Sequence, residues 1–350
     1  MPVEVPRVAS VVKVLIVDDS RTIRQLIRHR LSSDPRLQVV GEAEDPLEAR
    51  ELIRRLSPDV LTLDVEMPRM NGLEFLERLM RLRPMPVVMI STETSEGSRV
   101  AIEALALGAV DCIGKPAADR LPYGFRELGD ILVAAASARL QGQRQRPVAP
   151  RNFLWNGKLV LIGSSTGGVD ALECVLRGFP ADGPPVLITQ HMPASFLASF
   201  ARRLDGIVAP KVRLAEDGQP LRQGEVRLAP GGSHHLALGN GMTCRLLEAP
   251  KRSGHRPSVD VLFESAVPLA SKVVAALLTG MGRDGAEGMA ALRAAGARCI
   301  AQDQASSVVW GMPRAALEIG GAERAVPLTR LSGELLALAG RQNVAAGERG

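Results

Sequence analysis

From Lys13 onward the chain alternates short apolar runs with amphipathic ones. The segments Val12 to Val17, Gln38 to Ala43, Val60 to Leu63, Pro86 to Ile90 and Val110 to Ile113 read as buried strands, since brief apolar runs bounded by turn residues suit strands covered on both faces. Between them, Thr22 to Leu31 and Gly72 to Leu82 place apolar residues at helical spacing. Strand and helix repeated in this way over about 120 residues predict a parallel sheet with helices on both faces. Gly124 to Leu140 reads as the last helix of this block, and the Pro-punctuated Gln141 to Asn152 as a linker. A second alternation follows: an apolar run from Leu159 ends in Gly163-Ser164-Ser165-Thr166-Gly167-Gly168 before a helical pattern over Val169 to Arg177. Pro185 to Thr189 and Val273 to Leu278 are further buried-strand candidates.

Functional groups gather where such strands end, which is where open α/β sheets bind ligands. In the first half Asp18 and Asp19 end one run, Asp64 another, Ser91 a third, and Lys115 with Pro116 a fourth. An aspartate ending a strand is by itself more often a turn residue. Three carboxylates converging at one sheet edge repel unless a cation is present, and hard oxygen ligands favour Mg²⁺. Lys115 would add a positive charge beside them.

In the second half Gly163-x-Ser165-x-Gly167 fits a nucleophile elbow, in which flanking glycines permit a strained turn and the following N–H can face an oxyanion. Ser165 is the candidate nucleophile. A glycine-rich turn that only packs or cradles a phosphate fits these residues equally well, although no Gly-Lys-Ser/Thr follows to make a Walker loop. Two more strand ends carry Gln190-His191-Met192-Pro193 and Thr279-Gly280-Met281-Gly282-Arg283-Asp284-Gly285. A hydroxyl, an imidazole to take its proton and a carboxylate to orient the imidazole are what nucleophilic acyl transfer needs. The chain order Ser165, His191, Asp284 differs from the Ser, Asp, His order of α/β-hydrolases. His234 and His235 compete with His191 for the role of base, or could line a substrate cleft.

Composition narrows the classes. The 350 residues suggest about two domains, and 46% hydrophobic residues with only 3% aromatic mean cores of aliphatic side chains. Cys112, Cys174, Cys244 and Cys299 show no CxxC spacing and sit in apolar contexts, which points to free thiols in a reducing, cytoplasmic setting. No run approaches the length of a membrane span, and Met1 to Ser10 has no signal-peptide pattern, so no membrane insertion is expected. The net charge of +5 invites a nucleic-acid reading. Residues 1–136 carry 18 basic and 21 acidic groups, 137–152 carry four basic groups and no acidic ones, and 153–350 carry 21 and 17. The densest basic segment, with Arg139, Arg144, Arg146 and Arg151, is thus the linker. It has no aromatic interleaving, the chain has no helix-turn-helix or zinc spacing, and no nucleic-acid partner is expected.

Two resemblances add to this reading. Val17-Asp18-Asp19-Ser20, the stretch Leu63-Asp64-Val65-Glu66-Met67-Pro68-Arg69-Met70-Asn71-Gly72, and Gly114-Lys115-Pro116 resemble the motifs of two-component response-regulator receivers, which implies a flavodoxin-like domain over residues 12–136. The resemblance implies phosphorylation of Asp64 by a chemotaxis histidine kinase. It further implies Asp19, Asp64 and the Glu66 carbonyl as Mg²⁺ ligands, with Asp18 assisting through water, Lys115 on a phosphoryl oxygen and Ser91 as a switch hydroxyl. Where that family usually has an aromatic residue, three positions before the lysine, this chain has Cys112.

After a basic linker (137–152), residues 153–345 resemble the CheB family of chemotaxis protein-glutamate methylesterases. The resemblance rests on Gly-Ser-Ser-Thr-Gly-Gly, Gln-His-Met-Pro, Leu-Ala-Pro-Gly-Gly, Arg256-Pro257-Ser258-Val259-Asp260-Val261-Leu262-Phe263, Leu278 to Gly285, and Ala301-Gln302-Asp303 through Gly311-Met312-Pro313. It implies a doubly wound, mainly parallel α/β domain, a Ser165, His191, Asp284 triad, and oxyanion stabilisation at the backbone of Thr166 and Met281. Arg283 stands where an Asn is common. The implied activity is hydrolysis of glutamate methyl esters on the cytoplasmic domains of chemoreceptors, releasing methanol, and deamidation of selected glutamines, with no cofactor for the esterase chemistry. The receiver would restrain the esterase until phosphorylated. Two other classes stay open on the residues alone: a phosphorylation-regulated binding module, and a transcriptional output that lacks its expected DNA-binding motif.

Overall fold

Five of the apolar runs form a single parallel sheet in the first of the chain's two units, residues 1–140. In the computed structural model, which describes residues 11–67, 71–92, 94–116, 125–138, 149 and 153–341, they are β1 (Val12–Val17), β2 (Leu37–Ala43), β3 (Val60–Asp64), β4 (Val87–Ser91) and β5 (Asp111–Gly114). Their order is β2-β1-β3-β4-β5, with every neighbouring pair parallel. The helices are α1 (Arg21–Leu31), α2 (Pro46–Leu56), α3 (Gly72–Leu82), α4 (Ser95–Ala106) and α5 (Leu128–Ala136). Each of the first four starts where a polar side chain accepts a backbone N–H of the opening turn: Ser20, Asp45, Asn71 and Thr94. α1, α2 and α4 follow their strands within four residues, and the Ser20 cap closes the turn that carries Asp18 and Asp19. The helix expected over Gly124 to Leu140 is shorter, because Phe125 enters it from a left-handed turn (φ 57°). Pro68, Arg69, Met70, the arginines of the expected linker and residues 342–345 lie outside the described residues.

The second unit, residues 141–350, is built on seven parallel strands: β6 (Leu159–Ser164), β7 (Val186–Gln190), β8 (Lys211–Leu214), β9 (Glu225–Leu228), β12 (Val273–Leu277), β13 (Arg298–Gln302) and β14 (Ala325–Val326). They run in the order β14-β13-β12-β6-β7-β9-β8. A separate antiparallel hairpin joins β10 (His234–Gly239) to β11 (Thr243–Glu248). The helices are α6 (Gly168–Arg177), α7 (Ala194–Ile207), α8 (Val259–Ser265), α9 (Ala286–Ala294), α10 (Met312–Glu318) and α11 (Leu328–Ala339). Every residue of β6 is buried, and Phe179, Phe196, Phe200 and Phe263 are the largest fully buried side chains of this unit. Strand order reverses about β6, with β7 on one side and β12 on the other, so the crevice beyond its carboxyl end is the expected ligand site. Both tryptophans lie here: Trp155 donates its indole N–H to the Lys158 carbonyl, and Trp310 donates its own to the Gln302 carbonyl.

Candidate active site

At the carboxyl edge of the first sheet, Asp18 follows β1, Asp64 ends β3, Ser91 ends β4 and Lys115 follows β5. Carboxylate oxygens of Asp18, Asp19 and Asp64 lie within 4.8 Å of one another. Lys115 Nζ stands 2.8 Å from Asp64 Oδ2 and 3.2 Å from Asp18 Oδ2. Burial, followed by the charge of Asp18, pushes Asp64 up to about 6 despite the lysine. Burial likewise raises Asp18, whereas pairing with both carboxylates outweighs burial and raises Lys115. Three hard oxygens gathered this closely, two of them on buried side chains, suit a small divalent cation, which would offset the repulsion that raises Asp64. The Asp64 carboxylate also accepts the Glu66 N–H (3.2 Å), and the Glu66 carboxylate accepts the Thr92 hydroxyl (3.0 Å). The buried Ser91 hydroxyl donates to the Gly97 carbonyl (3.0 Å). The Cys112 thiol is buried, and burial pushes its pKa well up.

In the second unit Ser165 follows the central strand β6. Its N–H donates to the Thr279 carbonyl (3.0 Å) and its carbonyl accepts the Gly168 N–H (2.7 Å), closing a tight turn into α6. Gly167 makes that turn possible with φ at 77°, and a β-carbon there would stand 2.6 Å from Val308 Cβ. Gly280 lets the loop after β12 approach the serine: a β-carbon on it would lie 2.8 Å from Ser165 Cβ. The two segments are also tied by the Thr279 hydroxyl, which donates to the Thr166 carbonyl (3.0 Å). Thr166 and Met281 thus belong to two chain segments brought together beside Ser165.

His191 follows β7, one strand over, and its N–H donates to the Ser164 carbonyl (3.1 Å). Gln190 fastens the two strand ends: its amide nitrogen donates to the carbonyls of Ser165 (2.9 Å) and His191 (3.1 Å), and its oxygen accepts the Ser164 hydroxyl (2.6 Å). His191 Nε2 stands 2.7 Å from Asp284 Oδ2, while its Nδ1 is buried with no hydrogen-bond partner among the described residues. Asp284 accepts three further bonds, from the Ser258 hydroxyl (2.8 Å) and the N–H groups of Val259 (2.7 Å) and Asp260 (3.3 Å). Burial opposes its charge, but the His191 ring and these donors outweigh burial and hold its carboxyl well below the usual carboxylate range. Burial, aided by Asp284, raises neighbouring Asp260.

A second histidine completes the setting. The His255 ring stacks on that of His191, with centroids 3.8 Å apart and planes 10° from parallel. Burial, then His191, pushes His255 down to about 4, so it is neutral at pH 7. Of the competing histidines, His234 Nδ1 meets the Ser233 hydroxyl (2.9 Å), and His235 is fully buried with both ring nitrogens engaged, against the Pro250 carbonyl and the Ser258 N–H. Reading the sequence for strand ends missed Gln190, His255 and Ser258 as parts of this site. Ser258 had a usable signal, a serine placed just before the apolar run Val259 to Phe263 and able to cap it. His255 had none.

Residues 160–335 match the family model of the CheB methylesterase, and residues 14–122 that of the response regulator receiver domain. A Rhizobium johnstonii protein named protein-glutamate methylesterase/protein-glutamine glutaminase 1 is 52% identical over 335 residues, which are 93% of this chain and 95% of that one. A Caulobacter vibrioides protein of the same name is 52% identical over 337 residues, 94% of this chain and 98% of that one. Among solved structures, the catalytic domain of the Thermotoga maritima CheB methylesterase superposes with a TM-score of 0.50 at 38% identity, covering 52% of this chain and 99% of that domain.

Proposed function

Because this chain belongs to the CheB methylesterase family and carries a receiver domain, we propose that it removes methyl esters from glutamates on the cytoplasmic domains of chemoreceptors and deamidates selected glutamines there, under control of phosphorylation. The observation that carries the site assignment is the His191 ring, held by Asp284 at Nε2 and left without a partner at Nδ1. With Asp284 ionised, Nε2 carries the proton and Nδ1 is the basic nitrogen. Ser165 Oγ attacks the side-chain carbonyl while Nδ1 takes its proton, and the Asp284 carboxylate stabilises the imidazolium that forms. The backbone N–H groups of Thr166 and Met281 receive the developing oxyanion. The imidazolium then gives its proton to methanol, or to ammonia from a glutamine, as the carbon–heteroatom bond breaks. Water, deprotonated by the same nitrogen, attacks the acyl-enzyme and frees the glutamate and Ser165.

In the receiver, residues 12–136, Asp64 accepts the phosphoryl group from a chemotaxis histidine kinase. Asp19, Asp64 and the Glu66 carbonyl, with Asp18 assisting through water, would hold Mg²⁺, which when bound would neutralise charge between the carboxylates and the incoming phosphate. Lys115 holds a phosphoryl oxygen and Ser91 serves as the switch hydroxyl. Residues 137–152 form the linker and 153–345 the catalytic domain, which uses its own side chains for the ester chemistry. No described helix is long and apolar enough to cross a membrane. The proposed enzyme is cytoplasmic and meets its receptors from that side.

Methanol release from a methylated receptor, measured beside fluorophosphonate labelling, tests the reading. Both should depend on Ser165 and be lost in Ser165→Ala; methanol release that persists in that variant rules the assignment out.

A further inference from the structure

The sequence pointed to His235 as a competitor for the catalytic base, and the proposed chemistry leaves it unused. Its ring is fully buried on β10, outside the catalytic sheet. Nε2 donates to the Pro250 carbonyl (3.0 Å), and Nδ1 accepts the Ser258 N–H (3.1 Å). Only a neutral ring protonated at Nε2 makes both bonds. One imidazole therefore grips both ends of the segment from Pro250 to Ser258.

That segment is a closed loop. Arg252 and His255 exchange backbone hydrogen bonds (3.0 and 2.9 Å) across a two-residue turn in which Ser253 (φ 53°) and Gly254 (φ 83°) are left-handed. Arg256 adds fastenings to the carbonyls of Gly232 (2.7 Å) and Ala249 (2.9 Å). The loop delivers two groups to the base. His255 lies flat against the His191 ring, and the Ser258 hydroxyl, with the N–H groups of Val259 and Asp260, surrounds the Asp284 carboxylate that holds the same ring at its edge. The plane and the edge of His191 are thus both set by a loop whose two ends meet at His235.

We propose that His235 is a positioning residue for the esterase reaction, clasping the Pro250 to Ser258 loop so that His255 and Asp284 together fix the orientation of His191. The proposal rests on the triad assigned above. Loss of the clasp leaves the buried Ser258 N–H without its partner, releases the Pro250 carbonyl and lets the loop shift. Small misplacements of catalytic groups cost up to about 100-fold in rate. Because the clasp touches no substrate, the loss belongs in kcat.

The test uses the full-length protein carrying His235→Leu, His235→Gln, Ser258→Ala or Ser165→Ala. Methanol release from a methylated receptor gives kcat and KM, fluorophosphonate labelling gives the reactivity of the serine without receptor docking, and thermal unfolding reports on the fold. The glutamine amide offers one donor and one acceptor at about the spacing of the two imidazole nitrogens, so it can remake the clasp. We expect His235→Leu to lower kcat and the labelling rate by between about 10- and 100-fold with KM within about threefold, and His235→Gln to recover to within about fivefold of the parent. A folded His235→Leu protein with parental kcat overturns the proposal, as does a glutamine variant no better than the leucine one, or a fall in methanol release with labelling unchanged. Should His235→Leu fail to fold, Ser258→Ala decides: it keeps the backbone bond to His235 and removes the hydroxyl that donates to Asp284, together with its cap on the Val261 N–H, whose effect on the fold the thermal unfolding reads separately. A kcat lowered about tenfold at constant KM supports the proposal, and an unchanged kcat overturns it. Activity surviving in Ser165→Ala would instead sink the triad itself, a different failure.

Discussion

Replacing Asp284 by asparagine separates the two services a carboxylate can render to His191: choosing its tautomer and stabilising its charge. Oδ2 faces two N–H donors, His191 Nε2 and Val259 N, both at 2.7 Å, whereas Oδ1 faces the Ser258 hydroxyl at 2.8 Å and the Asp260 N–H at 3.3 Å. An amide nitrogen placed at Oδ2 would oppose two strong donors. Placed at Oδ1 it meets a hydroxyl that can rotate to accept and a longer contact to Asp260. The amide oxygen therefore stays toward His191, Nδ1 stays basic, and only the charge is lost. Imidazolium and carboxylate with charge centres about 4 Å apart attract by about 4 kcal/mol at an effective dielectric of about 20. Its loss in the transition state corresponds to a fall in kcat of about a thousandfold. Initial rates of methanol release over a range of methylated receptor concentrations measure it. A fall of less than tenfold would mean that the carboxylate does not support an imidazolium. A loss as deep as that of Ser165→Ala would mean that the amide has reversed and trapped the wrong tautomer.

Ser165→Ala should lower methanol release by about 10⁴- to 10⁶-fold, while Ser164→Ala, which loses only its bond to Gln190, should keep activity within about tenfold; the opposite ranking would place the nucleophile one residue earlier. Gly280→Ala brings a β-carbon to 2.8 Å from Ser165 Cβ and 2.3 Å from Met312 Sδ. It should cut kcat by about 100-fold by displacing the nucleophile, and parental kinetics would contradict the packing described. Asp64→Asn should abolish labelling by a small phosphoryl donor, and the rise in methanol release that the donor produces in the intact parent should vanish with it. Chelation of Mg²⁺ should suppress parental labelling, since three carboxylates within 4.8 Å cannot readily admit a phosphate without a cation; equal labelling in chelator would refute the metal assignment.

Much of both sheets was legible because buried parallel strands write themselves as short, mainly apolar runs, and β1, β3, β6, β7 and β12 do so. The groups gathered at their carboxyl ends could be named for the same reason, since a strand has a definite last residue. Strands β8 to β11 left no such trace. Lys211–Leu214 and Glu225–Leu228 are four-residue strands carrying charges, and β10 and β11 form a two-stranded sheet of their own. The surroundings of the base were least visible. Ser258, Val259 and Asp260 reach Asp284 from about 25 positions away in sequence, and His255 meets His191 only because a loop folds back. Contacts of that kind follow from tertiary packing, which neither periodicity nor residue spacing encodes.

The aromatic poverty of the chain has an experimental use. Its two tryptophans, Trp155 and Trp310, belong to the esterase unit, and its single tyrosine, Tyr123, to the other. Trp310 pairs through its backbone with Gly280, next to the nucleophile. Indole emission is therefore a private channel for residues 141–350, whereas far-ultraviolet circular dichroism sums the helices of both units. In a urea titration the two signals coincide when the units melt as one cooperative block. Their separation along the urea axis would read out, without a label or a truncated chain, the stability that each unit owns, and the shift of the indole curve on adding a phosphoryl donor would measure how much one unit feels of the other.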